Sequence, residues 1–443
     1  MPPPRSAWRA YLFNPETGER LDDGLVLWFP APRSATGEDV AELHVHGSRA
    51  VLAAIIEVLR HLGLRLAEPG EFTRRAFLNG KLDLLQAEAI ADLAAAETEA
   101  QRRQALRQLD GELGGLYRGW TDRLTRTLAH LEATIDFPDE DLPPETEDRI
   151  LGETEELITE IECHLADGHR GERLRDGIMV AIIGPPNAGK SSLLNKIARR
   201  DAVITAPVAG TTRDIVEVAV DLQGYPVVLA DTAGLRDSDN VVEQEGLRRA
   251  LRRAEEAEIR LFVFDARCPD QVQGAAAWPG PDTVLVANKI DLVPACPHSP
   301  QGGANTVMPG LDPGIHGAAI TSLAAGTEGV NSRDKPGHDE SETTGKALPI
   351  SALTGEGIDT LLSALGERVA QTYRIEAPVL TRARHRQALE DAALSLQRAL
   401  NAALPELRAE DLRLALRSLG RITGTVDVED LLDVIFRDFC IGK

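Results

Sequence analysis

The chain has 443 residues, 43% of them apolar, and a formal net charge of −22, enough for about three globular domains with ordinary cores. That charge argues against a protein that coats nucleic acid non-specifically, because phosphate repulsion would dominate; a local basic patch, or a partner supplying one, stays compatible. No run of about eighteen apolar residues marks a membrane span, and the start Met1-Pro-Pro-Pro-Arg5 lacks a secretory core. Cys163, Cys268, Cys296 and Cys440 are scattered without zinc spacing, which fits a reduced, cytoplasmic setting.

Residues 1–80 mix strand and helix signals and predict an α+β domain. Leu25-Val-Leu-Trp-Phe29 reads as a buried strand, and Ala41-Glu-Leu-His-Val-His46 alternates at period two. His44 and His46 share one side of that strand; with no third ligand in view, a structural role is favoured over a metal site. Gly47 opens an amphipathic helix with Val51, Ile55, Val58 and Leu62 on one face, closed by Pro69-Gly70. Residues 81–173 turn helical, with a break at Phe137-Pro-Asp-Glu-Asp-Leu-Pro-Pro144 and a second long helix from about Thr146 to Leu165. Helical periodicity returns near 381, where Leu389, Ala393, Leu396 and Leu400 step by four, three and four. Leu404-Pro405 then separates it from a helix beginning near Asp411. The economical reading is one helical domain, 81–173 and 372–443, interrupted by a phosphate-binding domain at 177–371; two separate helical modules are the alternative.

The interrupting domain opens with the apolar run Ile178-Met-Val-Ala-Ile-Ile183, the loop Gly184-Pro-Pro-Asn-Ala-Gly-Lys190-Ser191-Ser192, and the helical pattern Leu193-Leu-Asn-Lys-Ile197. Strand, glycine-rich loop and helix are the context that makes G-x-x-x-x-G-K-[ST] meaningful. The glycines let backbone N–H groups wrap a phosphate chain at a helix start, Lys190 reaches the β/γ-phosphates, and Ser191 is placed to hold Mg²⁺. Asp231-Thr232-Ala233-Gly234 follows the strand Val227-Val-Leu-Ala230, so its carboxylate reaches the Mg²⁺ shell and its glycine N–H the γ-phosphate. Asn288-Lys289-Ile290-Asp291 follows the strand Thr283-Val-Leu-Val-Ala287. An aspartate there accepts both guanine N1–H and the exocyclic amine, which adenine does not offer. Ser351-Ala352-Leu353, after another apolar run, would complete the base pocket through backbone N–H groups.

Two further features bear on hydrolysis. Leu235 follows Gly234, where Ras-like proteins place a water-orienting glutamine, so another group must act; Glu243, Arg213, Asp214 and Arg236 are the nearby candidates. Asn187 in the phosphate loop pairs with the switch Ala206-Pro207-Val208-Ala209-Gly210-Thr211-Thr212, where Thr212 would complete the Mg²⁺ shell. With switch carbonyls, the Asn187 oxygen can hold a monovalent cation near the phosphates; a hydrogen bond that merely fixes the loop is the alternative. Between Asp291 and Ser351 the composition changes abruptly to Gly, Pro, Ser and Asp, longer than the about 12–15 residues usual for a structureless loop. Met308-Pro-Gly-Leu-Asp-Pro-Gly-Ile-His316 and Asp334-Lys-Pro-Gly-His338 resemble translated intergenic repeats, so 296–345 is read as a disordered insertion, its histidines as solvated loop residues.

The four nucleotide motifs in order resemble the TRAFAC-class GTPase pattern, and Gly210-Thr-Thr-Arg-Asp214 with Asp231-Thr-Ala-Gly-Leu-Arg236 resembles its Era/Der/TrmE branch. The tail Phe439-Cys-Ile-Gly-Lys443, with Gly70-Glu-Phe-Thr-Arg-Arg-Ala-Phe-Leu-Asn-Gly-Lys-Leu-Asp83 and Gln86-Ala-Glu-Ala-Ile-Ala-Asp92, is similar to the bacterial tRNA modification GTPases of the MnmE (TrmE) family. The resemblance implies a multidomain α/β and α fold. Its parts are an N-terminal α+β folate-binding domain similar to the glycine-cleavage T-protein, a discontinuous α-helical domain and an inserted P-loop GTPase domain. It implies a potassium-stimulated GTPase that works with a flavoprotein partner (MnmG/GidA, which carries the FAD). Together they install carboxymethylaminomethyl or aminomethyl groups at C5 of wobble uridine in tRNA, using a tetrahydrofolate one-carbon donor in its 5-formyl or 5,10-methylene form. A homodimer, forming a heterotetramer with that partner, is implied.

By motif, Asn187, Ala206, Val208 and Thr211 hold potassium, Ser191 and Thr212 hold Mg²⁺, and Glu243 orients water through a second solvent molecule. Asn187, Ala188, Gly189, Lys190, Ser191 and Ser192 line the phosphates. Glu42, Lys81 and the C-terminal Lys443 match the folate positions, and Cys440 the cysteine near the modification site, or else a small core residue. Family members carry a further N-terminal segment with a folate-facing arginine before the equivalent of Pro4; a start codon assigned late is the expectation. A ribosome-assembly GTPase is a competing class, but no G-x-x-G clamp in a KH-like setting follows the G domain. A folate-binding module whose G domain only signals is another.

Overall fold

Short segments rich in aromatic and aliphatic residues at the N-terminus fold as three antiparallel strands, β1 (Trp8–Phe13), β2 (Arg20–Phe29) and β3 (Val40–His44), in that order. The structure is a computed structural model that describes residues 2–136, 145–167, 169–200, 217–231, 257–277, 283–293, 347–374 and 377–425. The chain divides into two units, one of residues 1–96, 102–172 and 375–443, the other of 97–101 and 173–374. In the first, the run at Leu25 is a strand as expected but not a buried one, with Leu25 41% exposed and its neighbours half-buried. Trp8, Tyr11 and Phe13 on β1 are exposed as well. A run of apolar residues reads the same whether its sheet is covered on one face or two, which is why burial was overestimated.

Helix α1 (Arg49–His61) starts after Ser48, whose hydroxyl accepts from the Val51 N–H at 3.2 Å. Ile55 is buried and Val51 and Val58 half-buried; Leu62 lies past the helix end and is exposed, not part of the buried face. Next come α2 (Glu71–Leu78), α3 (Leu84–Ala95), α4 (Glu99–Leu109), α5 (Glu112–Asp136), α6 (Glu145–Leu165) and α7 (Arg170–Asp176). Asp83 and Gln86 cap α3 reciprocally, the Gln86 N–H donating to Asp83 at 2.8 Å and the Asp83 N–H to Gln86 at 3.0 Å.

One hydrophobic core gathers Tyr117, Trp120 and Leu124 of α5 with Leu157 and Ile161 of α6. The same core takes Leu389 and Leu396 from Ala383–Asn401 and Leu412 and Leu419 from Pro405–Thr423, two helices far downstream in the chain. Each such side chain stabilises by roughly 1.5–3 kcal/mol when fully removed from water. The downstream helix begins at Pro405 rather than near Asp411. The break expected there is present, since the preceding helix ends at Asn401, but proline suits the first helical position, where its fixed φ is helical and its missing N–H is unpaired in any case, so the next helix starts at once.

Two buried polar clusters inside this unit are hydrogen-bonded across its helices. Gln108 donates to the Leu85 carbonyl at 2.8 Å and accepts from the Thr381 hydroxyl at 2.9 Å. Glu88, fully buried, accepts from Arg384 at 2.7 Å through both oxygens and from His385 at 2.9 Å, with Arg382 at 3.3 Å. Asp92 takes the other end of Arg382 at 2.7 Å.

The second unit holds a six-stranded sheet built from β4 (Ile178–Ile183), β5 (Glu217–Leu222), β6 (Tyr225–Asp231), β7 (Ile259–Asp265), β8 (Thr283–Asn288) and β9 (Leu348–Pro349). Its order is β5-β6-β4-β7-β8-β9, all parallel except β5 against β6. With period two, Ile178, Val180 and Ile182 of β4 enter one core with Leu193, Leu194 and Ile197 of α8 (Lys190–Arg200) and Leu361 and Leu365 of α9 (Ile358–Thr372). Ala181 and Ile183 enter a separate core on the opposite face with Phe262 and Phe264 of β7. Burial on both faces explains why these strands read as continuous apolar runs. The two downstream helices of the first unit, Ala383–Asn401 and Pro405–Thr423, are α10 and α11. The expected insertion at 296–345 lies outside the described residues.

Candidate nucleotide site

β4 is the first strand of its sheet, and the chain builds outward from it in both directions, so the loop after its C-terminal end lies at the switch point where open α/β sheets take ligands. That loop is Gly184 to Gly189, and α8 starts at Lys190 as the motif requires. Its backbone needs unusual conformations: Gly184 has φ +139°, Asn187 φ +60° and Gly189 φ +94°. A Cβ on Gly184 would stand 2.0 Å from the Val263 carbonyl oxygen, and one on Gly189 2.3 Å from Asn288 Nδ2. Glycine is demanded at both places by close approach as well as by φ.

Lys190, only 6% exposed, donates to the carbonyls of Gly184 at 2.8 Å and Pro185 at 2.9 Å, which holds its ammonium against the loop. Burial pulls its pKa down while the Asp231 carboxylate pushes it back up. Asp231 ends β6 and is in register with Ile182 of β4, so it stands beside the phosphate loop. Ser191 is exposed in the first turn of α8. Asn187 is exposed, and among the described residues its side-chain amide has no hydrogen-bond partner; the loop is fixed there through its backbone carbonyl, which accepts from Lys289 at 2.6 Å.

The base-side loops brace the phosphate loop. Asn288, 1% exposed, donates to the Ala188 carbonyl at 2.8 Å and accepts the Ala352 N–H at 2.9 Å. Ser351, fully buried, donates through its hydroxyl to Asp291 at 2.5 Å and through its N–H to the Glu356 carbonyl at 2.9 Å. Leu353 is 78% exposed, and its carbonyl accepts from Lys196 of α8 at 3.3 Å. The structure thus brings together Asn187 to Ser192, Asp231, Asn288, Lys289, Asp291 and Ser351 to Leu353. The remaining expected positions, 206–214, Thr232, Ala233, Gly234, Arg236, Glu243, Cys440 and Lys443, lie outside the described residues.

Two contributors were not singled out from the sequence. Asp265 ends β7 and binds both Lys289 and Arg267; Lys196 ties α8 to the Ser351 loop. For Asp265 the signal was present: a carboxylate closing the apolar run Leu261-Phe-Val-Phe264, as Asp231 closes its own.

In the first unit, Glu42 on β3 is exposed and its carboxylate accepts from His44 Nε2 at 3.1 Å, while His46, beyond the strand end, pairs with Asp22 at 2.8 Å. The two histidines are therefore occupied by separate carboxylates, and among the described residues no group of three His, Cys, Asp or Glu could hold a metal. Lys81 packs its stem against Gly37, in the loop leading into β3. Among the described residues no helix is long and apolar enough to cross a membrane.

A mostly parallel sheet with a phosphate loop after its first strand, an Asp at the end of the adjacent strand and an N-K-x-D loop two strands across defines a P-loop GTPase domain. The family model described as the GTP-binding protein TrmE N-terminus matches residues 1–81, and that described as the MnmE helical domain matches residues 84–440. The chain is 53% identical to the tRNA modification GTPase MnmE of Rhodospirillum rubrum, with all of this chain and 92% of that one covered. It is 53% identical to the MnmE of Parvibaculum lavamentivorans (99% and 91% covered) and 52% to that of Paramagnetospirillum magneticum (100% and 91%). The chain belongs to the MnmE family of tRNA modification GTPases and is a GTP hydrolase acting in tRNA modification.

Proposed function

We propose that this GTPase is stimulated by potassium and acts on tRNA in the cytoplasm. With a flavoprotein partner of the MnmG kind, which carries the FAD, it would modify C5 of wobble uridine using a tetrahydrofolate one-carbon donor. The observation that carries the cation reading is Asn187: an exposed amide without a partner among the described residues, on a backbone fixed in a left-handed turn by Lys289. An asparagine placed only to stiffen the loop would use its side chain for that purpose, and here the carbonyl does it. A cation bound there would supply positive charge to the phosphates, the role an arginine finger plays elsewhere. Ser191 fits a Mg²⁺ ligand as an exposed hydroxyl in the first turn of α8, with the Asp231 carboxylate on the neighbouring strand.

Ala206, Val208 and Thr211 would hold the potassium, Thr212 the Mg²⁺, and Glu243 the attacking water, with Arg213 and Asp214 beside it. Glu42, Lys81 and Lys443 are assigned to folate, Cys440 to the modification site, and the working species to a homodimer joined by the flavoprotein. The domain scheme, 1–80 for folate and dimerisation, 81–173 with 372–443 helical, and 177–371 for GTP, belongs to this reading too.

The test is GTP turnover in potassium and in sodium at equal ionic strength, with Asn187→Ala alongside. Potassium stimulation that disappears in the variant supports the reading. Turnover indifferent to the cation in the parent protein overturns it.

A further inference from the structure

We propose that Asp265 is a positioning residue for nucleotide binding, acting through Lys289 to tie the base loop to the phosphate loop. This rests on reading Asn288 to Asp291 as the guanine loop. Asp265 and Asn288 are register partners at the ends of the parallel strands β7 and β8, so Lys289 leaves its strand beside the Asp265 carboxylate. Lys289 then adopts φ +68°, a left-handed conformation that is strained for a side chain with a Cβ and persists only where the surroundings over-determine it. Two bonds do so: the ammonium donates to Asp265 at 2.9 Å and to the Asn187 carbonyl at 2.6 Å. Asn187 is itself left-handed, so the same ammonium stabilises strained backbone in both loops.

Asp265 is held as firmly as it holds. It is 6% exposed and accepts Arg267 in a two-pronged pair, at 3.0 Å on one oxygen and 2.7 Å on the other, plus the Arg267 N–H at 3.0 Å. These donors keep the carboxyl ionised, well below the usual carboxylate range. Its amide, in turn, donates to Gln271 at 3.2 Å. Without the carboxylate, Lys289 retains a single carbonyl partner and both loops lose their common anchor. GDP and GTP each span the two loops, so affinity for both should fall together while the hydrolytic step is left alone.

The experiment measures GDP affinity by fluorescent-nucleotide titration of the full chain, with GTPase kinetics in parallel. Asp265→Asn should weaken GDP binding about tenfold, the usual worth of one hydrogen bond between charged groups, and raise KM with kcat changed less than about twofold. In a Lys289→Met background, Asp265→Asn should cause no further loss, because the interaction it removes is already gone. Unchanged affinity in D265N, or losses that add in the double variant, overturns the proposal. Should D265N fail to fold, Arg267→Met serves instead: several-fold weaker GDP binding that vanishes in the K289M background supports it, and unaltered affinity overturns it. Asp291→Asn separates the two readings, since an amide suits the C2 carbonyl of xanthine where a carboxylate suits the amine of guanine. A D291N protein that keeps its guanine preference overturns the base-loop reading on which the proposal rests; a switched D291N with an inert D265N overturns the proposal alone.

Discussion

Replacing Glu88 by Gln should be among the most destabilising single changes in the helical unit. Glu88 is fully buried, and its two oxygens accept Arg384 at 2.7 Å each and His385 at 2.9 Å. The Arg382 and Arg384 side chains are only 18% and 19% exposed, so neither can recover full hydration when the carboxylate is neutralised. Breaking a buried pair from one side costs about 3–5 kcal/mol, and partial access of water to the guanidiniums places this case near about 3. Urea unfolding followed by circular dichroism gives the measurement. The transition of the helical unit is the one whose midpoint does not move when GDP is added, because a ligand stabilises only the unit that binds it. A loss under about 1 kcal/mol would refute the reasoning. A second arm sharpens it: E88Q/R384M, which also removes the stranded charge, should lie at least about 1 kcal/mol above E88Q.

The same cluster predicts acid lability. Burial first, then the neighbouring arginines, depress the His385 pKa to about 4, below the unfolded value of about 6.5. The unfolded chain therefore takes up that proton first as pH falls, so the stability is intact above about pH 6.5 and lost by about 3 kcal/mol at most on descending to about pH 4. His385→Gln should flatten that fall by about one proton in the dependence of stability on pH, and an unaltered slope would exclude the histidine as its source. In the GTPase unit, Gly184→Ala drives a Cβ to 2.0 Å from a carbonyl oxygen at φ +139°, and should abolish GDP binding with at least about 3 kcal/mol of destabilisation. Gly115→Ala in α5 meets nothing within 4 Å and should stabilise by about 0.5–1 kcal/mol in the urea assay.

What could be read from the sequence follows from the range of the interactions involved. The phosphate loop, Asp231 and Asn288-Lys-Ile-Asp291 were legible because each is a short spacing attached to a strand of its own. The face of α10 was legible because a helix repeats every 3.6 residues wherever it packs. Asp265 was legible only as a carboxylate closing a strand; its bond to Lys289, and through Lys289 the tie to the Asn187 carbonyl, is set by which strands lie side by side, and no local spacing encodes that. The motif Gln86-Ala-Glu88-Ala-Ile-Ala-Asp92 was recognisable as a string, but its physical reason emerged only with α10: Gln86 caps α3, Glu88 takes Arg384 and His385, and Asp92 takes Arg382. Pro405 shows the opposite difficulty, since a proline punctuates a helix at either end and only the φ/ψ run that follows says which.

The helical core also sets a timetable for the nascent chain. Tyr117, Leu124, Leu157 and Ile161 leave the ribosome early, while Leu389, Leu396, Leu412 and Leu419, which close over them, come only after the entire GTPase unit has been translated. At synthesis rates of roughly 5–20 residues per second, the stretch between Ile161 and Leu380 takes about 10–40 s. For that interval α5 and α6 present an apolar face whose covering does not yet exist. The GTPase unit can complete its own sheet meanwhile, so the nucleotide-binding half of the molecule is finished while the earlier-made helices still wait for their last two neighbours.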